Sequence, residues 1–178
     1  GAVTAGRYTT GAADLTALAQ GPVSITASQT DLSGNTGSAT VGTVKDTVGP
    51  TLSLDVLDAI NNANKAAYAF GGNCETGGGS VSYSLVSGAV ANGAAVCSAG
   101  RFAASGVNAT PLSDGTVAFS LSQLDAAGNN GMTSGSVGKD TVNPAVAFDA
   151  PVAIGAANQA SYTIPGTCSE PGRAVAVS

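Results

Sequence analysis

The chain has no histidine and no tryptophan, and it is poor in charge, with six Lys and Arg against eleven Asp and Glu in 178 residues. Each lack removes a class of chemistry. Without histidine there is no Ser-His-Asp or Cys-His nucleophile pair. Zinc sites of thiolate and imidazole are excluded too, and three widely spread cysteines make no zinc cage. A glycosidase-like carboxylate pair would have to be gathered from scattered Asp residues, with no apparent apolar pocket to raise a pKa. The sequence therefore reads as that of a non-enzyme. So few cations offer no basic patch to release counterions from phosphate, and nucleic acid is not an expected partner. No apolar run reaches the length of about 18 residues that a membrane span needs. No leader pattern is present, and a chain that opens at Gly1 without Met reads as a mature or internal piece.

What remains is Gly, Ala, Ser and Thr, with short runs of Val, Thr, Ser and Leu between Gly, Asn and Asp clusters. That pattern argues strands and turns. The chain also repeats itself. Gln29-Thr30-Asp31-Leu32-Ser33-Gly34-Asn35 returns as Gln123-Leu124-Asp125-Ala126-Ala127-Gly128-Asn129. Lys45-Asp46-Thr47-Val48-Gly49-Pro50 returns as Lys139-Asp140-Thr141-Val142-Asn143-Pro144, and Ala66-Ala67-Tyr68 with Cys74 as Ala160-Ser161-Tyr162 with Cys168. One ungapped spacing of about 94 residues serves all three, and about 30 of roughly 84 overlapping positions are identical. Such a period is too long for a solenoid and is the size of a small domain.

One complete unit spans 48–142, preceded by the last part of a unit (1–47) and followed by the first part of another (143–178). Within the complete unit, strands are expected at Thr51–Val56, at Lys65–Phe70 with Tyr68 and Phe70 on one face, and at Val81–Leu85. A weaker pair is expected at Ala94–Cys97 and Arg101–Ala104. Thr116–Leu124 should point Val117, Phe119 and Leu121 inward, and Gly131–Lys139 reads as an edge strand. Asn61–Asn64, Gly71–Asn73 and Gly77–Gly79 read as turns and loops. About seven short strands per unit argue an all-β chain of tandem immunoglobulin-like β-sandwich domains, about 94 residues per repeat.

Asp125–Asn129, a strand, and then Lys139–Pro144 resemble the end of a bacterial immunoglobulin-like repeat. Gly166–Val175 resembles a turn between the second and third strands of the same family, and Cys97–Phe102 resembles the second-cysteine region of its disulfide-bearing variants. The resemblance covers the whole chain. It implies a bacterial, extracellular or cell-surface location and a structural role in a fibre or adhesin stalk. The partners implied are neighbouring repeats of the same chain, or identical chains in a fibre. A protein- or glycan-binding module and a subunit of a self-assembling filament or sheath stand as alternatives.

The candidate sites follow from the repeat. Cys74 and Cys97 fall in one unit among Gly and Ser, and are expected to form a disulfide; two buried free thiols are the alternative. Cys168 is the counterpart of Cys74, and Val3 occupies the place of Cys97. Asp31–Asn35 and Asp125–Asn129 read as turns, the carboxylate capping the backbone and Gly supplying positive φ. The resemblance implies calcium at unit junctions as a second reading, with Asp31, Asp46, Asp125 and Asp140 as ligands. A tight site takes about six to eight oxygens, more than each junction's few acids offer. No other cofactor is expected. The Pro-containing segments after Lys45 and Lys139 read as semi-rigid linkers. Arg7 and Arg101 recur in phase and suit surface ion pairs, a clamp on a carboxylate being the alternative. Asn108-Ala109-Thr110 matches a glycosylation acceptor, but Pro111 follows it and Asp14 stands in its place one unit earlier.

Overall fold

The computed structural model describes residues 2–178 and is all-β, with no helix among them. Residues 53–139 build a sandwich of two four-stranded sheets. Strands β1 (Val3–Thr4), β2 (Arg7–Tyr8), β3 (Gly21–Thr30) and β4 (Thr36–Lys45) precede it. The first sheet orders β5 (Ser53–Leu54), β6 (Tyr68–Asn73), β10 (Arg101–Val107) and β9 (Cys97–Ser98). The second orders β12 (Asn130–Lys139), β11 (Gly115–Leu124), β7 (Val81–Ser87) and β8 (Ala89–Ala95). The chain crosses between sheets after β6, after β8 and after β10, which is the immunoglobulin arrangement. A final pair, β13 (Val146–Phe148) and β14 (Gly166–Cys168), follows.

Alternation explains the core. On β11 the buried side chains are Val117, Phe119, Leu121 and Gln123, every second residue. Val117, Phe119 and Leu121 join one core with Val81 and Leu85 of β7 and, across the sandwich, Tyr68, Phe70, Phe102 and Ala104. Phe70 is the centre of an aromatic group, edge-on to Tyr83, Phe102 and Phe119 and tilted against Tyr68. Ile60 is fully buried in the same core, its backbone bridging in parallel to Lys139 at the end of β12.

The sequence-derived strands hold at β7, β11 and β12, and β12 is indeed an edge. Three details differ. Lys65–Ala67 form a turn, and β6 instead runs on through Gly71-Gly72-Asn73. A side chain at Gly72 would fall on the Ser53 carbonyl and the Phe102 ring, so glycine here permits close strand approach instead of a loop. The first strand is shorter than Thr51–Val56. Strand β8 occupies Ala89–Ala95, mostly ahead of the expected Ala94–Cys97, because its Ala and Gly carry no alternating apolar signal. It is held by seven paired positions with β7 and by Gly93, which leaves room for the Tyr83 ring.

The repeat is structural as well as sequential. The β3–β4 ladder pairs Gly21 with Lys45 through Thr30 with Thr36, and the β11–β12 ladder pairs Gly115 with Lys139 through Leu124 with Asn130, residue for residue in phase. Ala147–Thr167 and Phe148–Gly166 reproduce Ser53–Asn73 and Leu54–Gly72. Tyr68 Oη donates to the Asp58 carbonyl at 2.6 Å, and Tyr162 Oη to the Val152 carbonyl at 2.5 Å. Asn64 Nδ2 donates to the Ala59 carbonyl, and Asn158 Nδ2 to the Ala153 carbonyl.

Candidate functional site

The features richest in polar chemistry lie at the two ends of the sandwich. One is the β11–β12 turn. Asp125 Oδ1 accepts the backbone N–H of Ala127 and Asn129 at 2.9 and 2.8 Å, and Oδ2 accepts Asn129 Nδ2 at 2.8 Å. Gly128 completes the turn at φ +89°. Asp31 repeats this in the β3–β4 turn, with Ser33, Asn35 and Asn35 Nδ2 as donors and Gly34 at φ +86°. The side-chain amide of Asn129 holds the Asp125 carboxyl below the usual carboxylate range, and Asn35 does the same to Asp31.

The linker Asp46–Pro50 arrives at this same turn. Asn129 Nδ2 also donates to the Asp46 carbonyl at 3.2 Å. Pro50 is buried, and Gly49 is half-buried against Asn130 and Gly131. Of the four aspartates considered for calcium, Asp46 and Asp125 thus come to one place, through Asn129. Asp31 sits in the preceding turn and Asp140 follows β12, its Oδ1 accepting the Val142 N–H just as Asp46 Oδ1 accepts the Val48 N–H. Among the described residues, no three acidic, Cys or His side chains converge on a point a metal could occupy. The donor chemistry does not fit a cation in this arrangement. The Asp125 oxygens face N–H groups, and an amide NH₂ stands between Asp125 and Asp46.

At the opposite end a lysine recurs. Lys139 is 5% exposed, and its Nζ donates to the Leu112 carbonyl at 2.6 Å and to Asp114 Oδ1 at 2.9 Å. Asp114 in turn accepts the Thr141 backbone N–H and hydroxyl, so the loop before β11 is tied to the exit of β12. One unit earlier, Lys45 Nζ donates to the carbonyls of Leu15, Thr16 and Leu18, and Gln20 takes the place of Asp114 against Thr47. The sequence reading places Lys139 at the end of an edge strand and both lysines at the start of linkers, and assigns neither a tie to a loop. The signal was available, since counting by two from Val137 places Lys139 inward. The same step from Leu121 places Gln123 inward. That side chain holds the loop after Cys74 through Glu75 N, Glu75 O and Gly79 O.

Hydrogen bonding holds the Asp114 carboxyl low, chiefly from Lys139, as it does Asp31 and Asp125. A carboxyl depressed in the folded state adds stability that is complete above its unfolded value, about 3.9, and lost as pH falls through the lower folded value. The urea midpoint at pH 3 is therefore expected to lie below that at pH 7, with Asp114→Asn narrowing the difference. Equal midpoints at the two pH values would show that these carboxylates contribute nothing.

Cys74 and Cys97 are bonded, with Cα atoms 6.0 Å apart, joining the residue after β6 to β9. Cys168 is free and exposed. Arg101 pairs with Asp55 on the sheet surface and reaches Asn73 Oδ1 at 3.0 Å, the surface ion pair expected of it. Asn108 Oδ1 accepts the Thr110 N–H and caps a turn.

No known protein family matches the chain, and no curated protein does. Among solved structures the chain is similar to a tetra-tandem repeat in the extending region of a large adhesion protein, at 22% identity and TM-score 0.49, over 77% of this chain and 37% of that one. A Ca2+-stabilized adhesin that helps an Antarctic bacterium reach out and bind ice aligns at 21% identity and TM-score 0.39, over 74% and 35%. A 1.5-MDa bacterial ice-binding adhesin, solved for its host cell surface retention, aligns at 19% identity and TM-score 0.38, over 68% and 43%. The chain spans less than half the length of each solved structure it matches.

Proposed function

We propose that the chain is a structural segment of an extracellular bacterial stalk or fibre, made of tandem immunoglobulin-like units divided at 1–47, 48–142 and 143–178. The observation that carries this reading is the in-phase recurrence of ladders and buried-tyrosine hydrogen bonds as well as residues. A module specialised for one ligand would have diverged from its neighbours at its loops. Here the turn, the linker and the lysine tie recur. The disulfide supports an oxidising location outside the cytoplasm. The outer face of the second sheet carries Ser82, Ser84, Ser120 and Ser122 around a shallow depression of 160 Å³, with Tyr83, Leu121 and Met132 completing its lining. Charged groups, which would focus a ligand there, do not line it. The partners of a stalk segment are its own neighbouring repeats.

Single-molecule extension tests the reading. A stalk segment tethered at both ends should unfold cooperatively. Reductant should lengthen the central unit's release by about 8 nm, the 23-residue separation of the disulfide at about 3.4 Å per residue. Extension without a cooperative event, or saturable micromolar binding to arrayed glycans or proteins, would move the assignment to a binding module.

A further inference from the structure

The linker Asp46–Pro50 lies backbone against backbone on the turn it meets. A Cβ added to Gly49 would stand 2.5 Å from the Asn130 carbonyl oxygen and 2.8 Å from its carbon. A Cβ on Gly131 would fall on the Pro50 carbonyl, with the Pro50 nitrogen at 3.1 Å. Real side chains do not tolerate such distances from backbone, so each glycine makes the other strand's approach possible. Pro50 is buried in the contact and fixes the direction of entry. Beside it, the Asn129 amide donates at once to Asp125 Oδ2 and to the Asp46 carbonyl. That is a hydrogen-bond donor placed between two oxygens of different units, the position a bridging cation would need.

We propose that consecutive units are joined here by a cation-free clasp, in which the Gly49–Pro50 linker seats on Asn130–Gly131 and the Asn129 side chain ties it to the turn. The occupant of this surface is the segment that leads into the central unit, and Asp46, held by Asn129, is the residue of the preceding unit that it brings to the turn. A corollary concerns the second linker. Asn143 stands where Gly49 does. An asparagine Cβ has no room in the seat that Gly49 occupies, so Gly49→Asn should unseat this linker. The proposal rests on the reading of these segments as tandem units.

The test is nitrogen-15 relaxation and amide exchange on the whole chain. In chelator, the amides of Thr47, Val48 and Gly49 should show order parameters near the rigid-backbone value of about 0.85, unchanged by millimolar calcium. Gly49→Asn, which writes the second linker into the first, should lower them toward the flexible range below about 0.6. Asn129→Ala should raise linker exchange about tenfold or more, while β7 and β11 amide shifts stay in place. Should Gly49→Asn disturb the sandwich itself, Asn129→Ala carries the test alone. Linker amides that are mobile in chelator, that order only with calcium, or that are indifferent to both substitutions would overturn the clasp. An ordered, calcium-indifferent linker in a chain that also binds a specific ligand would leave the clasp standing and remove the stalk.

Discussion

Reducing the Cys74–Cys97 bond is expected to destabilise the central sandwich by about 3 kcal/mol, the loop-closure entropy of the roughly two dozen residues it spans. The bond joins the residue after β6 to β9, an edge strand of only two residues that pairs with β10 alone. Little else secures that edge. Cys74 N–H donates to the Gly100 carbonyl, and Gln123 steadies the following loop through Glu75. Without the bond, β9 should fray and the sheet should lose its last strand. The first repeat already carries Val3 where Cys97 stands, so a Cys74→Ala, Cys97→Val double variant should fold and resemble the reduced protein. Urea titration with and without reductant measures the difference. Thiol alkylation supplies the control: one reactive thiol, Cys168, before reduction and two more after it. Three reactive thiols at the outset, or a midpoint indifferent to reductant, would refute the expectation.

Legibility in the sequence followed the strength of local signals. Strands β7 and β11 alternate large apolar with small polar residues, and they were plain. The Asp-x-x-Gly-Asn turns were plain too, because a carboxylate and a glycine at fixed spacing specify a hydrogen-bond pattern over a few residues. The partner of Asn129 was not. The Asp46 carbonyl is 83 residues away, and nothing in the motif says which backbone will reach it. Strand β8 was hidden because Ala, Asn and Gly give an edge strand no hydrophobic signal, and its place depends on a ladder with β7. Gly72 misled in the opposite direction: a Gly-Gly-Asn run suggests a loop, while here Gly72 admits the Ser53 carbonyl. Asp114 was invisible for another reason. Its counterpart is Gln20, so the in-phase identities that exposed the other sites pass over it, although both residues tie the same loop to the same threonine position.

Replacing Phe70 by alanine is expected to cost about 3–5 kcal/mol, the usual loss for a buried phenylalanine whose cavity cannot collapse. The chain has four Phe and four Tyr, and five of these eight rings meet in one group around Phe70. Its ring lies 5.2 Å from both Tyr83 and Phe119 by centroid, edge to face, and such pairs add about 0.5–1.5 kcal/mol each beyond area burial. The neighbours are rings held in place by the two sheets, Tyr68, Tyr83, Phe102 and Phe119, and rigid rings have little reach to fill a void. The neighbouring repeats give the measure of what the site tolerates. Ile164 stands in place of Phe70, Ile25 in place of Phe119, and Val177 in place of Tyr83, while Tyr162 and Tyr8 keep an aromatic ring for Tyr68 and Phe102. A branched aliphatic side chain therefore belongs to the repeat's own repertoire at this position. Phe70→Ile should cost about half of what Phe70→Ala does, because it leaves a smaller cavity, though it loses the edge-to-face pairs. Urea unfolding of the whole chain followed by far-ultraviolet circular dichroism gives both values. A loss under about 1 kcal/mol for alanine, below the usual range for such truncations, would mean that this ring does not organise the core. A cost for isoleucine equal to that for alanine would mean that ring geometry, rather than filled volume, holds the two sheets together.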